Sequence, residues 1–148
     1  MKQRLDYAAI SPEGYKTLGG VHRFIAKCGL EESLINLVYL RVSQINGCAY
    51  CVDLHTRDAI KAGESQRRLH NVVTWREAPF FSDRERAALA WAESLTHVAR
   101  TGAPDEDYEV VRRAFSEKEV VDLTYAIGLM NALNRLAIGM RKGPPVEA

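Results

Sequence analysis

The residues best equipped for chemistry sit together in Ser43-Gln-Ile-Asn-Gly-Cys48-Ala-Tyr-Cys51-Val-Asp-Leu-His55: two thiols three residues apart, and an imidazole four residues beyond the second. Asn46-Gly47 reads as a turn. From Cys48 to about Ala62 few residues oppose a helix, and Gly63 stops it, so a helix is expected to start at or near Cys48. On it, positions 48, 51 and 55 share one face. The unsatisfied N–H groups and positive dipole end of a first turn favour thiolate over thiol, which points to Cys48. His55 lies one turn beyond Cys51, within reach for proton exchange, which points to Cys51. The residues alone leave that choice open. A sulfur–sulfur bond between such neighbours is sterically feasible, and the pattern reads as a redox-active dithiol. Two other readings compete with it. Zinc would need a fourth ligand, and no second Cys-x-x-Cys or His-x-x-x-His pair occurs. Inert packing of both thiols is the blander alternative, since buried free cysteine is common.

The elements that must position this stretch are helical. Ser11-Pro12 opens a first helix expected to reach about Cys28 and stop at Gly29. Val21, Phe24, Ile25 and Cys28 are helically spaced, so Cys28 reads as a core residue and His22, beside that face, as solvated. A second helix, about Glu31 to Gln44, packs through Leu34, Leu37, Val38, Arg41 and Val42. The short link at Asn46-Gly47 makes it a hairpin neighbour of the thiol helix. Ser65 caps a short helix from Gln66 to about Trp75; Pro79 breaks the chain, and Phe80-Phe81 fold back on the core. Ser82-x-x-Glu85 and Ser116-x-x-Glu119 are capping boxes. The first opens a helix with the stripe Ala87, Ala88, Trp91, Leu95 and Val98, ending near Thr101-Gly102. Pro104-Asp105 starts another, to about Phe115. The second box opens a helix running to about Met140, apolar almost all round and therefore central or pressed against another subunit. Asn131, Asn134 and Arg135 interrupt it and need partners if buried. The tail from Lys142 reads as loose. No segment alternates with period two over strand length, so the expected fold is all-α, about seven helices in a single domain over 1–148, with no linker and no repeats.

With 47 % hydrophobic residues in 148, the chain can bury a real core. Twenty basic residues against nineteen acidic ones leave no excess to suggest nucleic acid. Three cysteines are too few for a disulfide-built secreted scaffold. The first residues lack the apolar run of a signal peptide, and the longest uncharged apolar stretch, Leu123 to Asn134, falls short of the roughly 20 residues a bilayer span needs. A cytoplasmic setting without membrane contact is the expectation. No flavin, haem or nucleotide signature is present, and no cofactor is expected.

These residues resemble the AhpD-like alkylhydroperoxidases of the carboxymuconolactone decarboxylase superfamily. The resemblance is carried by Leu40-Arg-Val-Ser-Gln-Ile-Asn-Gly-Cys-Ala-Tyr-Cys-Val-Asp-Leu-His-Thr-Arg-Asp-Ala59. Trp75-Arg-Glu-Ala-Pro-Phe-Phe, Glu85-Arg-Ala-Ala-Leu-Ala-Trp91 and Asn131-Ala-Leu-Asn-Arg-Leu-Ala-Ile138 support it. It implies an all-α protein assembling as trimers or hexamers, and an antioxidant peroxidase in which Cys51 attacks the hydroperoxide and becomes a sulfenic acid. Cys48 then condenses with it to a disulfide, and His55 carries the proton. An external dithiol, a lipoyl group or a redox protein would regenerate the pair.

Two positions depart from the family pattern. Members usually carry a glutamate twelve residues before the first cysteine; here Asn36 stands there and cannot accept a proton at neutral pH. Glu32, one turn earlier on the same face, is a candidate substitute. Between the thiols, where the best-known peroxidase has histidine, this chain has Tyr50, able to donate a hydrogen bond or to pack. Losing a base typically costs about 10²–10⁴-fold in rate, so slow peroxidase activity is expected. A redox sensor or binding oligomer using the same disulfide is the alternative. Lactone decarboxylation is less favoured, because those enzymes do not depend on such a cysteine pair.

Overall fold

The computed structural model describes residues 2–146. Its elements are α1 (Tyr7–Ile10), α2 (Pro12–Ile25), α3 (Glu32–Asn46), α4 (Ala49–Lys61), α5 (Gln66–Asn71), a 3₁₀ turn (Val72–Thr74), α6 (Asp83–Thr96), α7 (Val98–Thr101), α8 (Asp105–Ala114) and α9 (Glu117–Met140). The all-α expectation holds, with no strand among the described residues. Among the described residues nine α-helices stand where about seven were expected, because two are single turns too short for periodicity to register.

The core organises around α3, which packs against α4, α6 and α9. Leu37, Val38, Leu40 and Val42 on α3 are fully buried or nearly so, and each such side chain contributes about 1.5–3 kcal/mol relative to exposure. One cluster joins α2, α3, α6, α8 and α9 through residues such as Ile25, Val38, Trp91, Val111 and Ile127. A second joins Leu37 and Leu40 to Leu69, Trp75, Phe81 and Leu89, so Phe81 does fold back on the core. Cys28 packs at the edge of the first cluster.

Both capping boxes form, with Ser82 and Ser116 accepting from the N–H of Glu85 and Glu119, whose carboxylates return the bond. Arg84 bridges Glu31 and Glu119, donates to the Ala114 carbonyl and lies over the Phe115 ring, fastening the start of α6 to the starts of α3 and α9 and the end of α8.

Three local expectations differ from the structure. The helix opened by Pro12 ends at Ile25 rather than Cys28, and Ser11 makes no side-chain cap bond. The Ser82 helix breaks at His97, where Val98 leaves the stripe and becomes exposed. The tail is not loose at its start: Arg141 adopts the left-handed conformation, and the Lys142 N–H donates back to the Ala137 carbonyl at 2.9 Å. The Lys142 ammonium then lies 4.4 Å from the centre of the Tyr50 ring.

Candidate redox site at the start of α4

The turn from α3 into α4 is made by two residues. Gly47, at φ +70, ends α3 by donating to the Ser43 and Gln44 carbonyls, a backbone conformation that penalises any residue with a Cβ. Cys48 then returns to extended geometry and acts as the N-cap of α4, its Sγ accepting the Cys51 N–H at 3.3 Å. A sulfur thus occupies the position where serine, threonine or aspartate usually satisfies a first-turn N–H.

Cys48 and Cys51, 1 % and 4 % exposed, pack with Ala137 of α9 and the Tyr50 ring. Both are free thiols. The neighbouring Cys51 thiol, helped by the Cys51 and Tyr50 N–H groups and opposed by burial, brings the Cys48 thiol down to about 7. Cys48 in turn pushes Cys51 up, and burial raises it further. The pair therefore loses its first proton near neutrality as a unit, with the charge resting on Cys48.

Exposure to ligand runs the other way. A cavity of about 380 Å³ is lined by Cys51, not Cys48, together with Tyr7, Tyr15, Tyr50, Leu54 and Met130. His55, 7 % exposed, lines the same cavity, and burial lowers its pKa to about 4. It is uncharged at neutral pH, and among the described residues no side-chain hydrogen bond joins it to Cys51. Its ring instead lies 5.1 Å from that of Tyr39, which in turn stacks 6.0 Å from exposed His22. On its other side His55 lines a second cavity, of about 630 Å³, which also takes in Asn36, Glu32 and Tyr39. The three residues picked out by spacing are therefore brought together. Asn36 and Glu32 face His55 across the rear cavity rather than the thiols.

An amide ladder fixes the helices around the sulfurs. Asn46 Nδ2 donates to Asn134 Oδ1 at 2.9 Å and to Asn131 Oδ1 at 3.0 Å, and Asn134 Nδ2 donates to Ser43 Oγ at 3.1 Å. Asn134 also favours the anionic form of Cys51. This answers where the polar residues of α9 find partners. Asn134 is fully buried, so Asn134→Leu, which strands the Ser43 hydroxyl and leaves Asn46 with Asn131 alone, is expected to cost about 2 kcal/mol. Urea unfolding of the two proteins measures it; an unchanged midpoint would mean the ladder is dispensable.

Tyr39, Ser43, Asn46 and Lys142 carry no sequence signal for a part in this site. Only the buried amides of α9 hinted that α3 must offer them partners. Among the described residues no group of three or more His, Cys, Asp and Glu is placed to hold a metal ion, and no helix is long and apolar enough to cross a membrane.

The carboxymuconolactone decarboxylase family model matches residues 12–94. The uncharacterized protein YdfG of Bacillus subtilis (strain 168) is 39 % identical over 140 residues, 95 % of each chain. The crystal structure of ATU0492 from Agrobacterium tumefaciens, a protein of unknown function described as a candidate AhpD antioxidant-defence protein, is similar with a TM-score of 0.95. It is 42 % identical and covers 99 % of this chain and 100 % of that one. The debrominase Bmp8 shares the fold at a TM-score of 0.84 and 20 % identity, over 93 % of this chain and 74 % of its own.

Proposed function

This chain belongs to the carboxymuconolactone decarboxylase family and has the AhpD-like helical fold, and from that premise we propose that it is a thiol-dependent peroxidase cycling Cys48 and Cys51 between dithiol and disulfide. The observation that carries the reading is the division of labour in the thiol pair. Cys48, lowered by its Cys51 neighbour, ionises near neutrality, while Cys51 is the thiol of the pair that lines a cavity.

In the reactive form the pair's remaining proton passes from Cys51 to Cys48, leaving Cys51 as the thiolate. The Cys51 thiolate attacks the terminal oxygen of the hydroperoxide, forming an S–O bond and breaking O–O. The departing alkoxide takes the pair's proton, leaving an alcohol and a Cys51 sulfenic acid. The Cys48 thiolate then attacks the Cys51 sulfur, the disulfide forms, and hydroxide leaves as water after taking a proton from solvent. Two electrons pass from sulfur to peroxide, and an external dithiol, lipoyl group or redox protein returns them. His55 handles protons rather than supplying charge. Exposed Val121, Tyr125 and Ile138 along α9 support a homo-oligomer, trimeric or hexameric, and a cytoplasmic setting suits a dithiol that must be re-reduced.

Stopped-flow oxidation of the reduced protein by cumene hydroperoxide tests this. With the first proton lost near pH 7, the rate constant is expected to rise about tenfold between pH 6 and pH 8. A rate no greater than that of free cysteine would leave the second reading, a redox sensor using the same disulfide. Asn36, in place of a carboxylate beside His55, favours that reading.

A further inference from the structure

The cavity lined by Cys51 is graded in polarity. Its buried lining is Cys51, Met130 and Ala137, and its exposed lining is Tyr15, His22 and Arg23 of α2. Tyr7 and Tyr50 add two half-buried rings, which lie 5.5 Å and 4.4 Å from the Lys142 ammonium. A water molecule takes about 30 Å³ of the liquid, so a space of about 380 Å³ is far more than hydrogen peroxide needs. Arg23 stands apart from the other arginines. Arg41, Arg68, Arg76 and Arg84 each pair with a carboxylate, whereas Arg23, among the described residues, pairs with none. Its guanidinium folds back over Gly19 and Gly20, where a Cβ would stand 3.6 Å and 3.8 Å from its nitrogens. Two consecutive glycines weaken a helix interior. Here they leave the surface on which the guanidinium rests, and Gly19 is itself part of the cavity wall. The single carboxylate of the lining, Asp58, has Lys61 at 3.9 Å, which leaves the charge of Arg23 unanswered.

We propose that this cavity selects organic hydroperoxides that carry a carboxylate, with Arg23 holding the acid group at the exposed end while the apolar frame lies among the tyrosine rings and the O–O bond reaches Cys51. The inference deepens the peroxidase reading and rests on it for the reaction, though not for the anion site. A guanidinium offers parallel N–H donors that match the two oxygens of a carboxylate, and such charge-assisted pairs are stronger than neutral ones. A neutral peroxide makes no use of them. Tyrosine faces accept flat apolar groups and leave their hydroxyls in water, which suits a ligand with an apolar body and a charged end. Arg23 is thus a specificity-determining residue: it meets the acid group of the substrate rather than the reacting atoms.

Cumene hydroperoxide and its para-carboxy derivative share one reactive end and differ by one charge at pH 7. The ratio of their rate constants is therefore blind to a general loss of folding or of thiol reactivity. In single-turnover oxidation of the reduced wild-type protein, scaled by the same ratio for free cysteine, the carboxylate compound is expected to react about tenfold faster. Arg23→Gln brings the ratio to about one, and Arg23→Lys, which keeps the charge without the fork, restores part of it. Lys16→Gln removes a cation of the same helix that lies against Glu13 outside the cavity, and keeps the full preference. Equal rates in the wild type, or a preference that survives Arg23→Gln, would overturn the proposal while leaving the peroxidase reading intact. Should neither peroxide outpace its reaction with free cysteine, it is the peroxidase reading that fails. Calorimetry with 4-isopropylbenzoate, which has no O–O bond, then decides the anion site by itself. Binding weakened about tenfold by Arg23→Gln supports the site, and no binding, or binding the substitution leaves unchanged, overturns it.

Discussion

Replacing Cys51 by serine is expected to lower hydroperoxide consumption by on the order of 10⁴-fold or more, because a serine hydroxyl with no base to deprotonate it is a very poor nucleophile toward O–O. The same change withdraws the neighbouring thiol that keeps Cys48 acidic, so the residual Cys48 thiol titrates higher than in the wild type. Cys48→Ser separates the roles. The Cys51 thiol remains on the cavity wall, so one equivalent of peroxide is expected to leave a sulfenic acid there with no disulfide. Mass spectrometry of the peroxide-treated variants checks both. Sulfenic acid on Cys48 in the Cys51→Ser variant, with peroxide consumed at the wild-type rate, would exchange the two assignments.

The second large effect is on stability in acid and comes from His55. Its pKa is about 4 in the folded protein against an ordinary 6.5. Between those values the unfolded chain binds a proton that the folded state refuses, so unfolding becomes more favourable as pH falls. The contribution is fully present above pH 6.5, is lost progressively below it, and is gone beneath about 4. The shift corresponds to about 3 kcal/mol, to order of magnitude. Urea midpoints measured from pH 7 to pH 4 should therefore fall more steeply for the wild type than for His55→Gln, which has no imidazole to charge. Parallel curves would show that the ring is not held neutral by burial.

What was legible in the sequence divides along physical lines. The capping boxes at Ser82 and Ser116, the glycine stop at Gly47 and the start of α4 at Cys48 are decided by residues within four positions of one another, and all were readable. So was the need of Asn131 and Asn134 for partners, though not the partners, since Ser43 and Asn46 are contributed from about ninety residues away. The break at His97 was hidden because Val98 continues the apolar spacing of α6; only the three-dimensional course of the chain shows that it faces solvent. Lys142 follows Arg141, just past the end of the apolar helix, and precedes Gly-Pro-Pro, a composition that reads as tail. Its anchoring depends on an aromatic ring that α4 places opposite it. At the site, spacing found the thiols and the imidazole but not which thiol meets the cavity or which carries the charge. Those follow from which sulfur lines the cavity and from the opposite shifts the two thiols impose on each other. Tyr39 escaped notice because a tyrosine within an apolar helix looks like packing until its hydroxyl is found without a partner.

In the proposed cycle the sulfur that caps α4 is also a redox atom, and this ties mechanics to chemistry. A thiolate is a strong acceptor for the Cys51 amide, whereas a disulfide sulfur carries no charge and accepts weakly. Each oxidation of the pair therefore weakens the fastening of the segment that holds it, and each reduction restores it. The oxidised protein presents the more yielding doorway at the moment when a bulky reductant has to reach a bond that the reduced protein keeps shut away.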